Sequence, residues 1–354
     1  MTVKKVKIKN FRNIENLEFT PDSKMNVICG PNAQGKTNLL EAIWLFTGAK
    51  SFRGAKENEY ITFERDEAKI SIEFSKNSVL SDAEISIKDR RRATLNGNNL
   101  SSVGLLAGNF CAIVFSPQDI ELVKDGPSIR RKFLDTAIFQ IYPQYADFLR
   151  KYVRAVAQRN NLLKDVYYHS ELISMLDAFD NEIIRNGEKI IEYRKKYISH
   201  LKETAPVIYS GISENKENLE ISYLCNCSSE YFAERLKNAR REDIKTGVTS
   251  VGPHRDDIEF LINGKNARLF GSQGQKRSVA LTLKLSEAEI LKIKTGEETV
   301  ALLDDVMSEL DPVRQNYVLN HIKNWQVFIT CCDPSNILNL SSGKVFTMKN
   351  GVLS

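Results

Sequence analysis

Apolar and polar residues alternate along the first part of the chain, and the period then changes. Lys5 to Lys9 alternates with a period of two, and Ile14 to Phe19, Lys69 to Phe74 and Ala83 to Ile87 repeat the pattern, which predicts strands buried on one face. Arg92 to Leu95 runs into Asn96-Gly97, a pair that tolerates the positive φ angles of a two-residue hairpin turn. These segments predict an antiparallel meander with one helix, Asn38 to Phe46, set within it.

From Ser128 onward the period is helical. Phe133, Ala137, Ile141, Phe148, Tyr152 and Val156 share one face, and Leu172, Met175, Leu176, Phe179, Ile183, Ile190, Tyr197 and Leu201 share another. Each set predicts a helix of about 30 residues, or about 45 Å. The polar stretch from Asp165 to Ser170 joins them, and Pro206 is expected to stop the second. Strand patterns return at Leu219 to Cys225, and Asp257 to Ile262, Asn263-Gly264 and Lys265 to Leu269 predict a further hairpin. A helix from Gln275 to Lys294 then precedes two short apolar runs, Val300 to Leu303 and Val327 to Thr330, of the kind buried on both faces of a parallel sheet. The pattern predicts three segments: residues 1–127, a helical lobe at 128–248, and 249–354, where an α/β core resumes.

Composition narrows the class. With 42% hydrophobic and 27% charged residues, 354 residues can bury a sizeable core. No apolar run nears the roughly 20 residues of a membrane span, and Met1-Thr2-Val3-Lys4-Lys5 does not begin a secretory signal, so a cytoplasmic location without membrane contact is expected. The six cysteines are scattered or stand in C-x-C and C-C pairs, and the four histidines are far apart; neither set has the spacing of a zinc site. The net charge of +5 is mild, but Lys4, Lys5, Lys7, Lys9 and Arg12 cluster early, and Arg90 to Arg92 and Arg130 to Lys132 form short runs. Each run is either a solvated face or a footprint for a phosphate polymer.

The chemistry concentrates at two places. Gly30-Pro31-Asn32-Ala33-Gln34-Gly35-Lys36-Thr37 fits the phosphate loop G-x-x-x-x-G-K-[ST], behind the strand-like run Met25 to Cys29 and ahead of the helix that Asn38 enters. Two glycines let backbone N–H groups turn inward on a phosphate chain while the helix aims its positive end there. Lys36 is the candidate for the terminal phosphates of ATP, and Thr37 for Mg²⁺. The second place is Val300 to Asp305, a buried strand ending in two carboxylates, where α/β sheets present ligands. Asp304 is the candidate for the metal's water shell, and Asp305 for orienting or deprotonating the attacking water.

Three further segments complete an ordered set: Phe115-Ser116-Pro117-Gln118-Asp119, Ser272-Gln273-Gly274-Gln275 and Ser308-Glu309-Leu310-Asp311. With them the chain resembles an ABC-type ATPase head: an α/β P-loop core with a flanking antiparallel β-sheet and an inserted helical lobe. It is more similar still to the RecF family of bacterial recombination and gap-repair proteins, relatives of SMC proteins. That likeness rests on Phe11-Arg12-Asn13, Lys50-Ser51-Phe52-Arg53, Arg130 to Asp135, Gly252 to Asp257, Ser272 to Arg277 and Leu303-Asp304-Asp305.

The resemblance implies an ATP-dependent homodimer in which Ser272, Gly274 and Gln275 of one copy close over the nucleotide held by Gly30 to Asn38 of the other. It also implies that Arg12 and Arg53 lie near the nucleotide and that Gln118 reaches the Mg²⁺. DNA is the implied partner, bound through backbone and shape, with RecO and RecR acting beside the protein to place RecA on single strands. Asp305 stands where transporters carry glutamate, and Thr330, Cys331 and Cys332 follow the last apolar run without a histidine, which points to slow turnover, a timer and not a motor. His254 is expected to be a hydrogen-bonded structural residue, while Arg255 could pair with Asp256 or Asp257 or face DNA. The other classes considered are a transporter ATPase subunit and a nucleotide-dependent signalling or defence ATPase. The long helical insertion and missing histidine weigh against the first, and the absence of a nuclease constellation against the second.

Overall fold

The computed structural model describes residues 1–333 and 343–354, the Ser170 side chain excepted. Its contacts divide the chain into two units, one of residues 1–120, 208–216 and 280–354, the other of residues 121–207 and 217–279.

In the first unit the alternating segments form a six-stranded antiparallel sheet in the order Ile14–Phe19, Thr2–Phe11, Ala68–Lys76, Val79–Ile87, Arg91–Leu95, Asn98–Asn99. Asn96 and Gly97 take φ angles of 49° and 74°, as the predicted turn requires. Inward residues of this meander, among them Val6, Ile8, Phe11, Ile70 and Ile85, share one core with Leu39, Ile43 and Phe46, so the sheet seats the helix Lys36–Trp44. A second sheet runs in the order Val352–Leu353, Gly343–Lys349, Met25–Cys29, Val327–Cys331, Val300–Asp304, Ala112–Phe115. Its neighbours are parallel except for the hairpin of the first two strands. Val300–Asp304 and Val327–Cys331 are buried at every residue, which is why each reads as a continuous apolar run. Ala112–Phe115 is too short to carry a period, and Gly343–Lys349 is mostly exposed; the pattern predicts neither.

The second unit holds most of the helical middle of the chain, which departs from expectation at several points. The first predicted helix is two, Pro127–Ile141 and Tyr145–Val166. Pro143 lacks an N–H and pushes the preceding residue out of the helical region, and Tyr142 sits at φ −127°, ψ 84°. The helix Leu176–Ile212, by contrast, continues through Pro206. An interior proline costs about 3 kcal/mol, but Ile208, Tyr209 and Ile212 are all buried, each such side chain contributing roughly 1.5–3 kcal/mol. The expected second hairpin is short: Lys265–Asn266 pairs with Asp257–Ile262, then the Asn266 side chain accepts the Leu269 N–H at 3.1 Å and starts a helical turn, Ala267–Phe270. Helix Phe232–Thr246 is unpredicted because Phe232 and Leu236 are its only buried apolar residues.

By its contacts the segment 249–279, expected with the last part of the chain, groups with the helices. Charge explains this. Arg130, nearly buried, holds Asp257 with two hydrogen bonds of 2.6 and 2.9 Å, and Arg194, 2% exposed, reaches Asp135 at 2.8 Å and Asp256 at 3.1 Å. Beside them His254 contacts the Tyr152 hydroxyl through Nδ1 and the Thr249 carbonyl through Nε2, and burial lowers its pKa from 6.5 to about 4. The unfolded chain therefore takes up a proton below pH 6.5 that the folded chain refuses until about pH 4. This contribution is complete above pH 6.5 and is lost as pH falls through that window, up to on the order of 3 kcal/mol. Denaturant melts of wild type and His254→Gln at pH 7.5 and 4.5 should show a smaller loss for the variant; equal losses would contradict the assignment.

Candidate nucleotide site

Strand Met25–Cys29 ends at Gly30, and helix Lys36–Trp44 starts after Gly35. Gly30 has φ 149°, and a Cβ there would lie 2.4 Å from the Met348 carbonyl oxygen; Gly35 has φ 110°, and its Cβ would lie 2.7 Å from Asn13 Oδ1. Both positions need glycine for conformation and for space, so the loop is held against its neighbours. Lys36, 4% exposed, curls under the loop and donates from Nζ to the carbonyls of Gly30 at 2.7 Å and Pro31 at 3.0 Å. Asn32, Ala33, Gln34 and Thr37 line a cleft of about 560 Å³, together with Arg12, Arg53 and Asp305.

The acidic strand meets the loop at its base. Thr37 Oγ1 donates to Asp304 Oδ1 at 2.7 Å, and Thr330 Oγ1 donates to the same oxygen at 2.9 Å. Burial raises the Asp304 pKa, and the two hydroxyls work against that rise. Asp305 lines the cleft at φ 51°, so consecutive carboxylates are directed differently. A hydroxyl and a carboxylate oxygen in contact beside inward-turned backbone fit a hard cation that also takes phosphate oxygens. Among the described residues there is no group of three or more His, Cys, Asp or Glu that could hold a metal ion.

The arginines are organised by partners that sequence reasoning misses. Arg12 makes two hydrogen bonds to Glu41, Nε to Oε2 at 3.0 Å and Nη2 to Oε1 at 3.1 Å, and Ser51 donates to the same carboxylate. Glu41 is fully buried; an acid in the apolar run Leu39 to Ile43 is the signal that a cation must meet it. Arg53 donates to Asn38 Oδ1 at 3.0 Å, and Asn38 donates to Asn13 Oδ1 at 2.8 Å, which ties two of the quoted motifs to the loop helix. Thr330 carries no local signal in sequence. It lies in register with Asp304 on the adjoining parallel strand, and sequence alone reads it only as a missing histidine.

Gln118, in the turn Pro117–Ile120 after strand Ala112–Phe115, is exposed and does not line the cleft. In the second unit, Ser272 and Gln275 form a reciprocal cap on helix Gln273–Thr295. Gln275 Oε1 accepts the Ser272 N–H at 2.7 Å, and Ser272 Oγ accepts the Gln275 N–H at 3.2 Å. Gln275 also donates to Glu217 at 2.7 Å, so its amide serves the fold, whereas Ser272 is exposed. Arg255 pairs with neither neighbouring carboxylate and donates to the Thr249 carbonyl. The basic runs are partly consumed: Lys5 and Lys7 meet Glu18, Arg91 meets Glu57, and Arg130 is structural, while Lys4, Lys9, Arg90, Arg92 and Lys132 are exposed.

The DNA replication and repair protein RecF of Agathobacter rectalis is 39% identical to this chain over 333 residues, which cover 94% of the chain and 92% of that protein. The chain belongs to the RecF family. The RecF of Lachnospira eligens is 37% identical over 357 residues, 99% of this chain and 98% of that protein. The family model described as RecF/RecN/SMC N terminal domain matches residues 2–353. A solved structure of the recombination mediator protein RecF with ATP, from the RecFOR pathway, matches with a TM-score of 0.92 at 38% identity, covering 100% of this chain and 97% of that one. The SMC head of Pyrococcus furiosus bound to the C-terminal domain of ScpA, at 16% identity and a TM-score of 0.56, shares the fold. The fold is thus the ABC-type ATPase fold of RecF and SMC heads. Among the described residues no helix is long and apolar enough to cross a membrane.

Proposed function

We propose that this member of a DNA replication and repair family binds ATP and Mg²⁺ at the loop Gly30 to Asn38, pairs with a second copy when ATP is bound, and closes on DNA. In this reading it marks single-strand gaps and stalled forks, and acts with RecO and RecR to help load RecA. The observation that carries the reading is the contact between Thr37 and Asp304 at 2.7 Å, a hydroxyl and a carboxylate already assembled beneath a glycine loop with a buried lysine. Lys36 would neutralise the terminal phosphates, Thr37 and Asp304 would hold the ion and its water, and Asp305 would orient the attacking water from the cleft wall. Bound Mg²⁺ would supply charge neutralisation at the phosphates.

Pairing follows from the remaining half of the chemistry. Ser272 stands exposed at a helix start, where its hydroxyl and the positive end of the helix suit the phosphate of another copy. The exposed lysines and arginines of the early and middle runs support contact with phosphate backbone. Slow hydrolysis would release the pair, since aspartate at 305 reaches less far than glutamate.

Sedimentation of wild type and Asp305→Asn with ATP, ADP or no nucleotide, with and without duplex DNA, tests this. Wild type should pair only with ATP, and Asp305→Asn should retain ATP and stay paired about tenfold longer or more, as expected for loss of a water-orienting group. Monomers in every condition would sink the clamp, and equal lifetimes would remove Asp305 from its role.

A further inference from the structure

We propose that Thr330 is a positioning residue of the nucleotide site, its one hydroxyl fixing Asp304 and Asp305 in their different directions. The inference rests on the reading of those two acids given above, and extends it to a residue on another strand. Thr330 is fully buried in strand Val327–Cys331, opposite Asp304 in parallel register. Its Oγ1 accepts the Asp305 N–H at 2.9 Å and donates to Asp304 Oδ1 at 2.9 Å; the Leu303 carbonyl lies at 3.5 Å. A hydroxyl has one proton and two lone pairs, and here the proton goes to the nearer acceptor.

The two bonds act on different things. The bond to Oδ1 fixes the Asp304 carboxylate where the Thr37 hydroxyl also reaches it, so both donors fall on one oxygen and, among the described residues, no hydrogen bond reaches the other. Oδ2 is left to accept from a metal's water. The bond from the Asp305 N–H acts on the backbone. Asp305 has φ 51°, a region that non-glycine residues seldom adopt, and its amide is pinned as the strand leaves the sheet. Asp305 lines the cleft just past that point, while Asp304 stays buried. Residue 330 therefore does more than stand where a histidine is missing. Its side chain links the ion-binding acid to the water-orienting acid across two strands.

Thr330→Val keeps the branched shape and removes the hydroxyl, and Thr330→Ser keeps the hydroxyl. Binding of a fluorescent ATP analogue to each protein with Mg²⁺ and with EDTA, together with kcat, KM and thermal melting, separates positioning from packing. Thr330→Val should match wild type in EDTA, lose about tenfold of the gain in affinity that Mg²⁺ brings, with KM for MgATP raised by about the same factor, and lose about tenfold or more in kcat. Thr330→Ser should return both to within about threefold of wild type. The proposal is overturned if Thr330→Val keeps the full Mg²⁺ effect and kcat, or if Thr330→Ser is as impaired as Thr330→Val. Should Thr330→Val not fold, Thr330→Ala takes its place in the same comparison. The binding readout is per chain, so a wild type that binds MgATP but never pairs would refute the clamp and leave the Mg²⁺-dependent binding comparison standing.

Discussion

Lys36→Ala binds ATP about a hundredfold more weakly than wild type or worse, and no longer pairs in its presence. The size follows from what the ammonium does. Charge-assisted hydrogen bonds contribute about 1.5–3 kcal/mol each, and two of them to terminal phosphate oxygens amount to a factor of roughly a hundred to twenty thousand. In the structure those donors are occupied by the carbonyls of Gly30 and Pro31, at 2.7 and 3.0 Å, so the ammonium is already inside the loop on a buried side chain. Exchanging neutral carbonyls for anionic oxygens strengthens each bond, and an alanine offers neither. Stability should change little, because the loop is also held by Gly30 and Gly35 close to Met348 and Asn13. Equilibrium titration with labelled ATP, with thermal melting as the folding control, checks this. An affinity within threefold of wild type in a folded Lys36→Ala protein would show that the cleft around the loop is not where ATP is bound.

The site was legible in the chain where chemistry is local and opaque where it depends on register. The phosphate loop declares itself because a backbone that folds over phosphate needs glycine at two spaced positions, and the acidic strand because a run buried on both faces has no other reason to end in Asp304-Asp305. Thr330 carries no such local mark. Its hydroxyl matters only because strand Val327–Cys331 pairs in parallel with Val300–Asp304, a fact 26 residues removed from Asp304 in sequence. Arg12 is similar, since its partner Glu41 lies on the loop helix. The fold shows the same division. The meander and the central apolar strands were readable from their periods, whereas Pro143 and Pro206 look alike in sequence and act oppositely. One falls between helices and breaks the pattern, and the other is overridden by the buried side chains that follow it. The grouping of 249–279 with the helices was hidden for the same reason, because the pairings of Arg130 with Asp257 and Arg194 with Asp256 join distant segments.

Arg159→Ala should be the most destabilising single change in the helical unit, by about 3–5 kcal/mol, the cost of leaving buried carboxylates without their cation. Arg159 is fully buried on helix Tyr145–Val166. It donates from Nε to Asp180 at 2.6 Å, and from Nη1 to Asp243 at 2.7 Å and Thr249 at 3.0 Å. The two acids differ in what they lose. Asp180 keeps Arg240 as a second partner at 2.5 Å, but Asp243, itself fully buried, keeps among the described residues only the N–H and hydroxyl of Ser250 on its carboxylate. The damage should therefore centre on Asp243, and Asp243→Asn in the Arg159→Ala background should recover part of the loss, because a neutral amide is cheaper to bury than an unpaired charge. Denaturant melts of the wild type, both single variants and the double variant form the cycle that measures this. A loss below about 1 kcal/mol for Arg159→Ala would mean that the network is solvated and not structural. A double variant no more stable than Arg159→Ala would mean that the packing of the arginine stem, and not the orphaned carboxylate, is what the unit depends on.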